Sequence, residues 1–342
     1  MDQIYHLNGF QTKVSFTSAI DLSDIQHPII VADKKVRPSL EKLMVGSIDK
    51  YPVFWLDATE ENKSPDILKD IFRFMNRHQA HRSSTVVGIG GGITTDIAGF
   101  IGATYKRGCR LQLVPTSFVG MIDASLGGKA AINFDGIKNC VGGFYPAEKV
   151  LICQRFLDTL PLAVMQEGWA EAIKMALISA SPLLELIRQK PLNISTILRE
   201  AVDVKMSICE VDLHDRGQRR LLNFGHTFAH VIEGLSEYSV HHGTAVGVGM
   251  RIANALSVER GLLLPSAAEE IGRLLDDFNI PQTLSVCPRE RILAKGEAIL
   301  QQDKKNVGQI TLILLRSIQQ GEVVEDVDAA TILRHLTDYI AQ

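Results

Sequence analysis

The amino-acid sequence predicts an α/β protein in two parts: a first part over residues 1–155 built on a mostly parallel sheet, and a mainly α-helical second part over 156–342. Three observations predict this. Short apolar runs of strand length alternate with helix-periodic segments through the first part. A glycine triplet, Gly90-Gly91-Gly92, stands between one such run and the helical segment after it. From Phe156 onward the strand signal thins and long helical periodicities take over. Alternation of this kind, with a glycine turn leading from strand to helix, is Rossmann-like.

The elements justify themselves in order. Pro28 precedes Ile29 to Ala32 and then Asp33, a short buried-strand pattern ending on a polar residue. Val53 to Leu56, closed by Asp57, repeats it. Ser64-Pro65-Asp66 supplies an N-cap, a proline at the first helical position and an early acid, and Ile67, Leu68, Ile71, Phe72 and Met75 then lie on one helix face. A strand near Thr85 to Ile89 runs into the glycines and a helix through Asp96 and Phe100. Leu111 to Val114 and Val150 to Cys153 complete the sheet. In the second part, Gly168 to Ser179, Ile197 to Cys209 and Gly243 to Gly261 read as helices, Ile310 to Leu315 as a strand of a small hairpin, and Asp328 as the cap of a last helix with Ile332, Leu333, Leu336, Tyr339 and Ile340 on one face.

Composition narrows the function classes. With 342 residues, 46% hydrophobic and 22% charged, the chain is an ordinary globular protein long enough for two domains. Its 36 basic and 39 acidic residues give a net charge of −3, so neither nucleic acid nor an anionic membrane is implied as a partner. Residues 85–105 are apolar, but glycines, Asp96 and threonines interrupt them and a strand explains the stretch better than a membrane span. Cys109, Cys140, Cys153, Cys209 and Cys287 are odd in number and form no Cys-x-x-Cys pair, which argues against a disulfide framework and a thiolate zinc site and fits a reducing cytoplasm. The first residues show no signal-peptide pattern.

Four segments carry chemistry. Backbone N–H groups of the glycine triplet can approach a phosphate at a helix N-terminus, although the Gly-x-Gly-x-x-Gly fingerprint fails at Ile93 or Thr95. Residues 123–139 place Lys129 and Lys138 in glycine-punctuated loops, where an ammonium suits phosphate or carboxylate. Glu171 and Lys174 lie three apart in an apolar helix, so Glu171 is a candidate metal ligand. Finally, residues 219–242 hold His226, His230, His241 and His242; His226 and His230 are four apart and would share a helix face, a spacing that suits a metal or an anion. The opposing reading, two ordinary surface or core histidines, is equally compatible with spacing alone.

Taken as a series, the motifs carry a resemblance over nearly the whole chain. Gly-Gly-Gly-Ile-x-x-Asp-Ile-Ala-Gly-Phe, Tyr-Lys-Arg-Gly, Val-Pro-Thr-Ser, Asp-x-Ser-x-Gly-Gly-Lys, Lys-Asn, Ala-Glu-Ala-Ile-Lys, Leu-Leu-Asn-Phe-Gly-His-Thr, His-Gly and Asp-Lys-Lys occur in the order of the dehydroquinate synthase family of sugar-phosphate cyclases, which the chain resembles. The resemblance implies an NAD-binding α/β domain, a helical metal-binding domain and a homodimer. It implies Glu171, His226 and His242 as ligands of a divalent metal, zinc or cobalt. It implies Lys129, Asn139, Lys174, Lys205, Arg219, Asn223, His230 and a lysine of the Lys304-Lys305 pair as substrate-binding or catalytic positions, with Arg107 reaching in from the partner subunit. NAD would rest against Asp33, Glu60, Lys63, Gly91, Gly92, Ile93, Asp96, Thr116, Asp123, Lys138, Phe156 and Thr159.

The implied reaction converts 3-deoxy-arabino-heptulosonate 7-phosphate to 3-dehydroquinate and phosphate by transient oxidation, elimination, reduction and aldol closure. Such an anionic substrate accounts for so basic a set of residues. Thr95, Lys35, Val164 and Thr244 depart from the usual family pattern and bear on the nucleotide site more than on the chemistry. Three rival readings are a cyclase acting on sedoheptulose 7-phosphate or glucose 6-phosphate, a metal-dependent polyol dehydrogenase of related fold, and a non-catalytic relative. Lys205, Arg219, Asn223 and His230 together favour the substrate that carries a carboxylate.

Overall fold

The computed structural model describes residues 2–302, 310–325 and 327–341. Contacts divide the chain into two compact units, Met1–Pro161 with Lys205–His214, and Leu162–Val204 with Asp215–Gln342. Residues 205–214, which a single break near 155 would leave in the helical part, group with the sheet.

In the first unit the chain runs β1 (Asp2–Leu7), β2 (Phe10–Thr17), β3 (Pro28–Asp33), α1 (Arg37–Leu43), β4 (Val53–Leu56), α2 (Pro65–Arg77), β5 (Thr85–Gly90), α3 (Gly92–Thr104), β6 (Arg110–Pro115), β7 (Lys129–Phe134), β8 (Ile137–Phe144) and β9 (Lys149–Cys153). Seven strands form one sheet in the order β1-β2-β9-β6-β5-β3-β4. All its neighbours are parallel except β1 and β2. Every residue of β5 is buried, as a central parallel strand covered on both faces requires. From β3 the chain steps outward to β4, and from β5 it steps the other way to β6. Strand order therefore reverses between β3 and β5, the place where open parallel sheets leave a crevice at their carboxyl ends.

Two hairpins complete the unit. The first hairpin is β1 and β2, joined by Asn8 and Gly9 at φ +45° and +87°. Residues 123–139, expected as loops, instead contain the two-stranded sheet of β7 and β8, so Lys129 and Lys138 sit on strands. Asp135 and Gly136, at φ +50° and +74°, form the two-residue turn whose twist matches a hairpin. Ser64 stands at the N-cap of α2 as expected, but its hydroxyl makes no capping hydrogen bond, so Pro65 is what starts the helix.

The second unit runs α4 (Leu162–Ile178), α5 (Leu183–Arg188), α6 (Ile194–Val211), α7 (His226–Leu235), α8 (His242–Glu259), α9 (Pro265–Asp277), α10 (Arg289–Gln302), β10 (Leu312–Ser317), β11 (Gln320–Val324) and α11 (Ala329–Ile340), with the end of α6 grouping in the first unit. The expected late strand is β10, paired antiparallel with β11. Asp328 caps α11 by accepting from the Thr331 N–H at 2.8 Å. Gly168–Ile178 is buried without a break, which makes α4 a central helix of this unit. Among the described residues no helix is long and apolar enough to cross a membrane.

Close packing of β5 sets a stability test. A Cβ at Gly88 would stand 2.5 Å from the Ala98 Cβ on α3 and 3.0 Å from Leu113 Cδ2 on β6. Gly88→Val is expected to cost about 1–3 kcal/mol by overpacking, read as a lower urea midpoint at unchanged slope. A midpoint equal to the parent's would contradict this packing.

Candidate metal and nucleotide sites

In the second unit, α4 carries Glu167, Glu171 and Lys174 at spacings of four and three, one face of the helix. His226 opens α7 and His242 opens α8. Glycines let these ends come together. A Cβ at Gly243 would lie 2.2 Å from the Glu167 Cα, and one at Gly249 would lie 2.2 Å from the Gly225 carbonyl oxygen, so α8 touches both α4 and the start of α7 at backbone distance. Gly225 itself, at φ +79°, turns the chain into α7.

The side chains of Glu171, His226 and His242 converge there. Among the described residues they form a group whose ligand atoms all lie within 4.8 Å of one another. Glu171 is buried, pairs through Oε2 with the equally buried Lys174 Nζ, and leaves Oε1 without a hydrogen bond. That oxygen is 3.6 Å from His226 Nε2 and 3.6 Å from His242 Nε2. A tetrahedral zinc site with bonds of about 2.1 Å has ligand edges of about 3.4 Å, which both Glu171–histidine distances approach. Among the described residues the donors are two imidazoles and one carboxylate, the three-ligand number of catalytic rather than four-ligand structural zinc sets.

Protonation follows the surroundings. Burial holds His226 well below the ordinary histidine value, with Lys174, His242 and His230 adding to the effect, so its ring is neutral and free to coordinate. Burial also works against a charged His242, but Glu171 and Glu233 outweigh it and raise this imidazole to about 10. Glu233 is the residue that sequence reasoning missed. It lies two turns along α7 from His226, and its Oε1 sits 3.3 Å from His242 Nδ1, turning Nε2 toward Glu171. A carboxylate behind a ligating histidine orients the ring and raises its basicity. Seven-residue spacing from His226 was the available signal, but only the fold shows that a histidine of another helix meets it.

The other expected residues of this unit have definite places. His230 is one turn beyond His226, its ring 5.9 Å away at 86°, and it stays outside the donor group. Arg219 is buried at 1% exposure in the turn 218–223, and the Asn223 side chain holds that turn through the Arg220 carbonyl at 2.9 Å. His241, left without a role by the sequence, has its Nδ1 3.2 Å from Glu167 Oε1. Lys304 and Lys305 lie outside the described residues.

In the first unit the expected nucleotide residues gather at the carboxyl ends of the parallel strands. Asp33 ends β3, Gly91 and Gly92 start α3 after β5, Thr116 follows β6, and Phe156 and Thr159 follow β9. Asp33 accepts from the Lys35 N–H at 3.0 Å, and burial pushes its carboxyl up. A Cβ at Gly91 or Gly92 would meet nothing closer than 3.4 Å, so the protein's own packing does not demand glycine at either. Open space at a helix N-terminus is what a close-lying pyrophosphate needs. Ile93 is in the first turn of α3, and Thr95, the departure noted above, turns its hydroxyl back on the Gly92 carbonyl at 2.9 Å.

Two buried lysines are held by acids in this unit. Lys63 pairs with Asp96 and also meets the Asn139 side chain, and Lys205 on α6 pairs with Asp123. Burial pushes Asp96 up to about 6 against the pull of Lys63, with Glu60 and Asp123 adding to the rise. Lys129 begins β7, Lys138 lies on β8, and Arg107 is exposed in the turn after α3 at φ +66°.

A parallel sheet with an open glycine turn at its strand-order reversal, and a helical unit with a buried carboxylate and two imidazoles, define the class of two-part nucleotide- and metal-site α/β proteins. Comparison narrows it. Residues 53–167 match the model of the 3-dehydroquinate synthase N-terminal domain and 168–306 that of the 3-dehydroquinate synthase C-terminal domain. A 3-dehydroquinate synthase of Chlamydia pneumoniae is 41% identical over 330 residues, 90% of this chain and 86% of that protein. One of Dehalococcoides mccartyi is 34% identical over 313 residues, 89% and 85% of the two chains. Among solved structures, 2-epi-5-epi-valiolone synthase of Streptomyces hygroscopicus with NAD+ and Zn2+ bound superposes with a TM-score of 0.84 at 27% identity, covering 98% of each chain. The chain belongs to the 3-dehydroquinate synthase family.

Two outcomes test the donor group. Glu171→Ala is expected to abolish stoichiometric zinc, and Glu233→Ala to weaken it about 10- to 100-fold, in competition with a chromogenic chelator. Equal affinity in parent and both variants would remove the site. Because His242 keeps its proton up to about pH 10 without metal, each ion bound below that pH displaces one proton. Apparent affinity should therefore rise with pH between roughly pH 7 and 9, and a flat profile would contradict a protonated His242 in the metal-free protein.

Proposed function

We propose that this chain is a 3-dehydroquinate synthase, a phosphate-eliminating lyase that converts 3-deoxy-D-arabino-heptulosonate 7-phosphate to 3-dehydroquinate and phosphate. The observation that carries the reading is the Glu171, His226 and His242 donor group with Lys174 beside it, in a member of a family whose named relatives catalyse this reaction. Both cofactors of the proposal, NAD and a divalent zinc or cobalt, have residues here that fit them.

Glu171, His226 and His242 hold the metal, with Glu233 fixing the His242 ring. Asp33, Glu60, Lys63, Gly91, Gly92, Ile93, Asp96, Thr116, Asp123, Lys138, Phe156 and Thr159 hold NAD. Bound there, the metal would supply Lewis-acid chemistry toward substrate hydroxyls and NAD would supply reversible hydride transfer. Lys129, Asn139, Lys174, Lys205, Arg219, Asn223, His230 and a lysine of the 304–305 pair hold the substrate's phosphate and carboxylate. Lysines and an arginine that are already buried need little reorganisation to stabilise charge developing on the substrate, and this is the main catalytic contribution of the protein itself. The substrate's own phosphate serves as base in its elimination, so no further protein base is required. The functional form is a homodimer in which Arg107, exposed in this chain, reaches the partner's site. Cytoplasmic location suits the free thiols of the five cysteines.

Phosphate release from the heptulosonate phosphate tests the reading. Release is expected to need both NAD and metal, to stop with chelator, and to proceed without net NADH. No release by the loaded protein, or NADH formed in step with turnover, would overturn it; the second result would mark a polyol dehydrogenase.

A further inference from the structure

We infer that Asn133, at a break in the β7–β8 hairpin, is a positioning residue that serves the nucleotide loop and the substrate loop through different atoms of one amide. The inference rests on the reading of Glu60 as an NAD contact and Asn139 as a substrate contact.

Register shows the break. Ile132 faces Val141 and Phe134 faces Ile137, so Asn133 alone stands opposite residues 138–140. A bulge of this kind leaves ladder hydrogen bonds unmade and re-aims side chains, and Asn139 within it takes φ +50°. The Asn133 side chain replaces what the ladder lost. Its Oδ1 accepts from the Asn139 backbone N–H at 2.9 Å, while its Nδ2 donates to the Glu60 carbonyl at 3.0 Å and to Glu60 Oε1 at 2.9 Å. This orientation is forced, because a backbone N–H can only donate and a carbonyl and carboxylate can only accept.

A ring of interactions closes around Lys63. The Asn133 backbone N–H donates to the Lys63 carbonyl at 2.7 Å, and Lys63 Nζ returns to the Asn139 side chain and to Asp96. The segment 60–63 and the bulge 138–140 are thus fixed to each other through one residue. A residue needed only for folding would disturb both functions together. Two amide atoms with separate partners allow the functions to be separated.

Asn133→Asp keeps the Oδ1 acceptor for Asn139, removes the donor to Glu60 and sets a second carboxylate against it. Asn133→Ala removes both links. The full-length, metal-loaded chain is used, with NAD affinity measured by calorimetry and the KM for the heptulosonate phosphate by phosphate release. The expected result is an NAD Kd raised about tenfold in both variants, and a sugar-phosphate KM raised about tenfold only in Asn133→Ala. The inference is overturned if Asn133→Asp raises both constants equally, or if either variant leaves the NAD Kd within about twofold of the parent. Should Asn133→Ala not fold, the near-isosteric Asn133→Asp decides alone. If the parent releases no phosphate, the functional reading fails by itself, and the NAD titration of Asn133→Asp against the parent still supports or overturns the Glu60 half of the inference.

Discussion

The buried carboxylate of Glu171 is the point on which the second unit depends. Its neighbour Lys174 is as deeply buried, and taking two such charges out of water costs several kcal/mol per ion before their attraction repays any of it. Replacing the pair by well-packed apolar residues would often be neutral or stabilising. That the helix keeps both, in its most buried stretch, points to chemistry rather than stability. The same helix face forces its neighbours close. Gly243 exists because α8 crosses α4 at backbone distance, and that crossing is what brings His242 to the carboxylate.

A parallel logic organises the first unit. Lys63 with Asp96, and Lys205 with Asp123, are acid–base pairs in which a buried cation is held ready by a carboxylate. Each pair joins elements far apart in sequence, and Lys205 does so from a helix that begins in the other unit. Cations stored this way are fixed before any substrate arrives. Cations already buried and paired can stabilise negative charge on a bound anion with little rearrangement.

Much of this was legible in the residues, and the exceptions have physical causes. Parallel strands were readable because burial on both faces writes them as unbroken apolar runs, as at Thr85 to Ile89. The hairpin at Asp135-Gly136 was not legible although that dipeptide is a strong turn signal, because Lys129, Lys138 and the glycines around them read as a polar loop. Spacing of His226 and His230 was a weak guide, since a helix makes any two residues four apart neighbours whether or not an ion joins them. Histidine 242 comes from a different helix, and motif order rather than periodicity singled it out. Spacing from His226 is a faint signal for Glu233 and there is none for Asn133, because their partners lie across a helix pair and across a strand break.

The most direct test of the central claim is a crystal structure of the zinc-soaked protein with anomalous data collected on both sides of the zinc edge. A single zinc peak in contact with Glu171, His226 and His242, with His230 unliganded, is the expected result. A peak between His226 and His230, or none at the three donors, would contradict it.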